Sequence, residues 1–139
     1  MTQNRLRTVT AALALLGMAI ASYLTYVHYA GVSITCATGG CETVQNSRYS
    51  EIFGVPVALL GLLAFVGILA TTVRGDMAAR ATAVSISLAG VAFAAYLLVV
   101  QLAVIGAVCE WCVASDVVTT LIAAIALLAA RTDLRPWPA

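Results

Sequence analysis

Four apolar runs, each close to the length needed to cross a lipid bilayer, take up most of this 139-residue chain. They extend roughly from Val9 to Ala30, Phe53 to Val73, Ala81 to Ala107 and Val113 to Ala130. A span of about 20 apolar residues buries its own N–H and C=O groups only as a helix, because lipid offers them no partner. Composition agrees, with 63% hydrophobic and 9% charged residues and a mean hydropathy of +1.03. The expected fold is an all-α integral membrane protein, a four-transmembrane-helix bundle forming one domain over residues 1–139. A net charge of +1 with scattered arginines excludes a nucleic-acid-binding stripe.

Four spans place both termini on one side. All seven basic residues are arginine; Arg5, Arg7, Arg74, Arg80, Arg131 and Arg135 fall on the termini and the loop between spans two and three, and only Arg48 falls opposite. That bias predicts cytoplasmic termini in a multi-pass protein. Ala19-Ile20-Ala21 has the look of a signal-peptide cleavage site, but the apolar run continues to Tyr29, too long for a typical signal.

All four cysteines then lie on the extracytoplasmic side, where disulfides persist. Cys109-Glu110-Trp111-Cys112 opens span four, and Cys36 and Cys41 lie in the outer loop from about Gly31 to Ile52. A C-x-x-C pair interconverts readily between dithiol and disulfide, and a helix N-terminus favours the thiolate, although Glu110 opposes it. Cys112 sits about 4.5 Å deeper than Cys109 at 1.5 Å per residue. Cys112 is therefore expected to face the membrane cavity and Cys109 the loop. Gly39 and Gly40 make the loop pair pliable, suited to shuttling electrons by thiol-disulfide exchange.

Other readings of the cysteines are two structural disulfides, a four-thiolate zinc site, or a thiol-based carrier for soft metal ions. A C-x-x-C bridge closes too little chain to stabilise much. No cysteine or methionine pair continues toward the cytoplasmic side, Met18 and Met77 being isolated. No resident metal is expected.

Glu42 to Ser50 is expected to form a short helix on the membrane, and Ser50 to cap span two near Pro56. Asp116 lies one turn below Cys112 on the same helix face, with Ser115 and Thr119 nearby; an ionisable residue there is either a proton relay or an interfacial helix-start residue. Gly61, Gly67 and Gly90 read as helix contacts. His28, Tyr96 and Gln101 are secondary candidates.

The ordered set Cys36, Cys41, Ser47, Cys109 and Cys112 resembles the vitamin K epoxide reductase family and its bacterial homologues. Supporting residues are Tyr23 to Tyr29 at the end of span one and Ile52-Phe53-Gly54-Val55-Pro56 at the start of span two. The resemblance implies an outer loop capping a quinone pocket, with menaquinone or ubiquinone as substrate, in a bacterial inner membrane. It implies that Cys112 meets the quinone, that Cys109 exchanges with the loop pair, most directly with Cys41, and that Cys36 meets the thiol of a partner. Ser47 is placed beside the active cysteines, and Tyr23, Tyr26, Ser50, Phe53 and Trp111 are implied around the substrate.

Two departures follow. Many bacterial members carry a thioredoxin-like domain after the last helix, whereas this sequence finishes Arg135-Pro136-Trp137-Pro138-Ala139 without a further cysteine, so a separate DsbA-like partner is expected. Asp116 and Ser50 stand where vertebrate enzymes have tyrosine and asparagine, which favours simple quinone reduction over epoxide reduction. DsbB-type quinone reductases are the nearest enzymatic alternative, but their C-x-x-C lies in the first loop rather than the second.

Overall fold

The computed structural model describes residues 3–33, 36–37 and 39–133, without the side chains of residues 132 and 133. Thr38 and the C-terminal Arg135 to Ala139 lie outside the described residues. Four long helices form the bundle: α1 (Gln3–Ala30), α3 (Val57–Arg74), α4 (Met77–Val99) and α5 (Glu110–Asp133). All four are long and apolar enough to cross a membrane. Between α1 and α3 stand a short helix α2 (Cys41–Gln45), a 3-10 turn at Arg48–Ser50, and a two-stranded hairpin of β1 (Glu51–Ile52) and β2 (Val55–Pro56).

Helix α1 packs on α3 and α5, and α4 completes the ring against the same two helices. Its buried residues Leu6, Thr10, Ala14, Gly17, Ile20, Ala21, Leu24 and Val27 recur every three or four positions, one stripe of a helix. Small residues on that stripe allow close approach, and a Cβ at Gly17 would run into the Phe65 ring of α3. The outward faces carry exposed Leu15, Leu16, Leu63, Leu88, Leu121 and Leu128. Such a belt would be a liability in water and is what a lipid-facing bundle presents.

Helix ends are satisfied locally. Asp76 caps α4, its Oδ1 accepting from the Ala79 N–H at 2.8 Å, and left-handed Gly75 closes α3. The Arg7 guanidinium donates to the Thr72 carbonyl at 2.6 Å, joining the start of α1 to the end of α3.

Four expectations need correction. Span two begins at Val57 rather than Phe53, because Phe53 and Gly54 take left-handed backbone (φ 52° and 79°) at the hairpin tip. Ser50 does not cap α3; Pro56 precedes it, and Ser50 Oγ instead donates to the Ser47 carbonyl. Gly61 meets no neighbouring atom within 4 Å at its would-be Cβ, since it borders a cavity, whereas Gly90 does abut Thr119. The expected loop helix is shorter, broken after Gln45 into α2 and the 3-10 turn.

Candidate functional site

Helix α4 ends in a π-helical turn, Val100–Ile105, and left-handed Gly106 stops it. This wide turn leaves Gln101 fully inside the bundle, 3% exposed, where its side-chain Oε1 accepts the Cys109 N–H at 2.8 Å. A buried amide in an apolar span needs such a partner, and here the pairing sets the height of Cys109 just before α5 begins. The Val113 N–H then donates to the Cys109 carbonyl, continuing the chain into the helix.

Above this segment sits the loop. Cys36 and Cys41 are joined in a disulfide, with Cα atoms 6.0 Å apart, whereas Cys109 and Cys112 are free thiols. Cys41 and Cys109 are both completely buried in one apolar cluster with Val44. Gly40 lies so close to Val108 that a Cβ at residue 40 would overlap the Val108 carbonyl oxygen. The loop is thus docked backbone to backbone on the C-x-x-C segment, a reason for glycine that pliability alone does not supply.

One turn after Cys41, Gln45 reaches across both free sulfurs, its Nε2 lying 3.4 Å from Cys112 Sγ and 3.9 Å from Cys109 Sγ. The Cys109 thiol is pushed down to about 6. The Cys112 side-chain hydrogen bond is the main cause; the backbone N–H groups of Cys112 and Trp111 and the Gln45 amide add to it, against the desolvation of burial. Glu110, expected to oppose this, turns its carboxylate to the loop instead, where Oε1 accepts the Ala37 N–H at 2.7 Å.

Below the sulfurs a cavity of about 330 Å³ opens between the helices and the cap. Its walls are mostly apolar, with Leu24, Phe65, Ile68, Phe93 and Leu97 among them, and the polar groups that reach it include Gln45, Ser47, Ser50, Cys112 and Asp116. Asp116 Oδ2 is buried without a hydrogen-bond partner among the described residues. An apolar chamber with a few convergent polar groups suits a flat, largely apolar ligand carrying one or two carbonyl oxygens.

Of the residues expected around a substrate, Ser50 borders this cavity and the other four do not border it in the described structure. Tyr23 packs on Trp111, ring centroids 4.9 Å apart, supporting the C-x-x-C from α1. Tyr26 is exposed, and Phe53 stands fully exposed at the hairpin tip. Ser47 does border the cavity, its Oγ donating to the Val44 carbonyl at 2.7 Å. His28 Nε2 lies 2.7 Å from Glu51 Oε1, tying the hairpin to α1. Gln45 was not anticipated, although its position four residues after Cys41 places it on the same helix face.

One disulfide pair capping a second thiol pair at the mouth of an apolar cavity, in a bundle of helices long and apolar enough to cross a membrane, is an arrangement suited to thiol-disulfide chemistry. The sequence model of the vitamin K epoxide reductase family matches residues 8–127, and the chain belongs to that family. The match covers the capping loop, both cysteine pairs, all of α3 and α4 and most of α1 and α5. Membrane redox chemistry linking disulfides to quinones comes with this membership.

Proposed function

We propose that this protein is a thiol:quinone oxidoreductase that oxidises a separate DsbA-like, thioredoxin-fold partner and reduces a membrane quinone, menaquinone or ubiquinone. Its cysteines face the extracytoplasmic side of a bacterial inner membrane and both termini face the cytoplasm, in keeping with the arginine bias. The observation that carries the reading is the position of Cys112. Cys112 borders an apolar cavity while Cys109, three residues earlier, is buried in the same cluster as Cys41.

The electrons run inward. A partner thiolate attacks the Cys36–Cys41 disulfide at Cys36, and the partner's second thiol resolves the mixed disulfide, leaving the partner oxidised and the loop reduced. Cys41 then exchanges with an oxidised Cys109–Cys112 pair, and Cys36 resolves that intermediate. The thiols of Cys109 and Cys112 pass two electrons to the quinone and return to the disulfide. The net change is partner dithiol plus quinone to partner disulfide plus quinol. Two protons must join the quinone oxygens, and Asp116, half-buried at the cavity wall with its Oδ2 enclosed and without a hydrogen-bond partner among the described residues, stands where one can be passed.

The test is quinone reduction by the purified protein with two donors, a reduced thioredoxin-fold protein and a small permeant dithiol. One quinol per donor disulfide is expected with either. Cys36→Ala and Cys41→Ala should lose the protein-driven reaction and keep part of the dithiol-driven one, and equal loss with both donors contradicts the shuttle. Membrane-impermeant thiol reagents applied to intact cells after reduction should label Cys36 and Cys41; labelling only after the cytoplasm is opened contradicts the orientation.

A further inference from the structure

Glu110 lies between Cys109 and Cys112 in sequence, yet its carboxylate belongs spatially to the loop. Oε1 accepts the Ala37 N–H, and a carboxylate oxygen and the sulfurs of Cys36 and Cys41 all lie within 4.8 Å of one another. The start of α5 presents this group, while Tyr23 packed against Trp111 at a tilted angle supports the residue beside it.

The relay described above, on which this inference rests, creates a proton problem at that spot. The reduced loop carries two S–H groups. Cys41 loses its proton as its sulfur bonds to Cys109, while the Cys109–Cys112 bond breaks and its electron pair leaves on Cys112. Cys36 then loses its proton as its sulfur bonds to Cys41, and the electron pair of the Cys41–Cys109 bond leaves on Cys109. Two protons come off at the loop, whereas the quinone takes up two beyond the sulfurs. Cys41 is completely buried, so water has poor access to its proton.

Nearby acids are differently engaged: Glu42 is exposed and Glu51 is bound to His28. We propose that Glu110 is the base that takes the protons of Cys41 and Cys36 as the loop pair is re-oxidised by the Cys109–Cys112 disulfide. A carboxylate is too weak a base to hold a thiol proton for long, so the transfer accompanies sulfur attack, and half-buried Glu110 then releases the proton to solvent. The ionisable groups facing it are the two loop thiols, with Cys109 and Cys112 flanking it on its own segment. In the oxidised state the same carboxylate holds the loop through Ala37, so it binds the product of the step it assists.

A single-turnover experiment separates this role from the quinone reading. The fully reduced full-length protein, mixed anaerobically with excess quinone, should yield a first quinol from Cys109 and Cys112 and a second, slower one gated by loop exchange. Glu110→Gln keeps an acceptor for the Ala37 N–H but cannot take a proton. It should slow the second phase about tenfold or more near neutral pH. Its rate should climb about tenfold per pH unit and meet the wild type above the ordinary thiol pKa of about 8.5, where the thiols ionise unaided. Glu110→Asp should restore most of the neutral-pH rate. A second phase in Glu110→Gln equal to wild type at every pH, or slowed by one constant factor at every pH, overturns the proposal; the constant factor would mean that Glu110 only holds the loop. Absence of the first quinol in the wild type overturns the quinone reading and this role with it.

Discussion

The Gln45 side-chain amide donates toward the Cys112 sulfur at 3.4 Å, so a residue of the cap reaches the thiol of a residue that lines the cavity. The cap thus contributes directly to the electrostatics of the thiol pair as well as covering it. Gln45→Leu removes this donor while keeping similar bulk. A hydrogen bond of this kind is worth about 1 kcal/mol, so electron transfer from the thiols to quinone should fall roughly fivefold. Stopped-flow quinone absorbance on the pre-reduced variant measures this; an unchanged rate would remove Gln45 from the chemistry.

The Cys109 thiol titrates about 6 because of its hydrogen bond with Cys112 and the helix-start N–H groups. Its pKa is lower in the folded chain than in the unfolded one, so the thiolate stabilises the fold above the ordinary thiol range and that contribution is lost as pH falls through about 6. The thiolate absorbance of a reduced variant lacking Cys36 and Cys41 should disappear with a midpoint near that value. Cys112→Ala should move the midpoint up, toward an unassisted thiol. No movement would assign the shift to the helix start alone.

Gly40 touches the Val108 backbone in an ordinary right-handed conformation (φ −87°), so an added methyl group tests proximity without backbone strain. Gly40→Ala should cost the docked loop about 1–3 kcal/mol by overpacking, lowering its occupancy roughly five- to a hundredfold. The rate of trapping a Cys41–Cys109 mixed disulfide in a variant lacking Cys36 and Cys112 reports this directly. Wild-type trapping would place the exchange in some other arrangement of the loop.

Much of this architecture is legible from residues alone, and the parts that are not have physical reasons. Apolar run length locates the four helices, and C-x-x-C at the head of the last one locates the free thiol pair, because both signals are local. The start of α3 is misplaced by hydropathy since Ile52, Phe53, Val55 and Pro56 are apolar, yet two left-handed residues fold them into a hairpin. Gln101 is only a secondary candidate from its place in an apolar span, and its tie to the Cys109 N–H depends on the π-helical turn, which no periodicity announces. The direction of Glu110 is likewise tertiary: adjacency to Cys109 suggests repulsion, and the docked Ala37 N–H turns the carboxylate away.

Asp116→Asn preserves shape and hydrogen bonding at the cavity wall but cannot release a proton. Quinol formation should slow about tenfold or more if Asp116 supplies one of the two protons. Exchange between Cys41 and Cys109, on the other side of the sulfurs, should continue. Unchanged quinol formation across pH would return Asp116 to the role of a polar residue near the helix start.

Cys109 and Cys112 together are expected to deliver electrons to a quinone in the cavity that Cys112 lines. The most direct measurement starts from fully reduced protein lacking Cys36 and Cys41, given one equivalent of quinone without oxygen, then quenched and alkylated for mass analysis. One quinol is expected for each Cys109–Cys112 disulfide formed, and none from the Cys109→Ala or Cys112→Ala variants. Quinol produced while both thiols remain alkylatable, or produced undiminished by either variant, would contradict it.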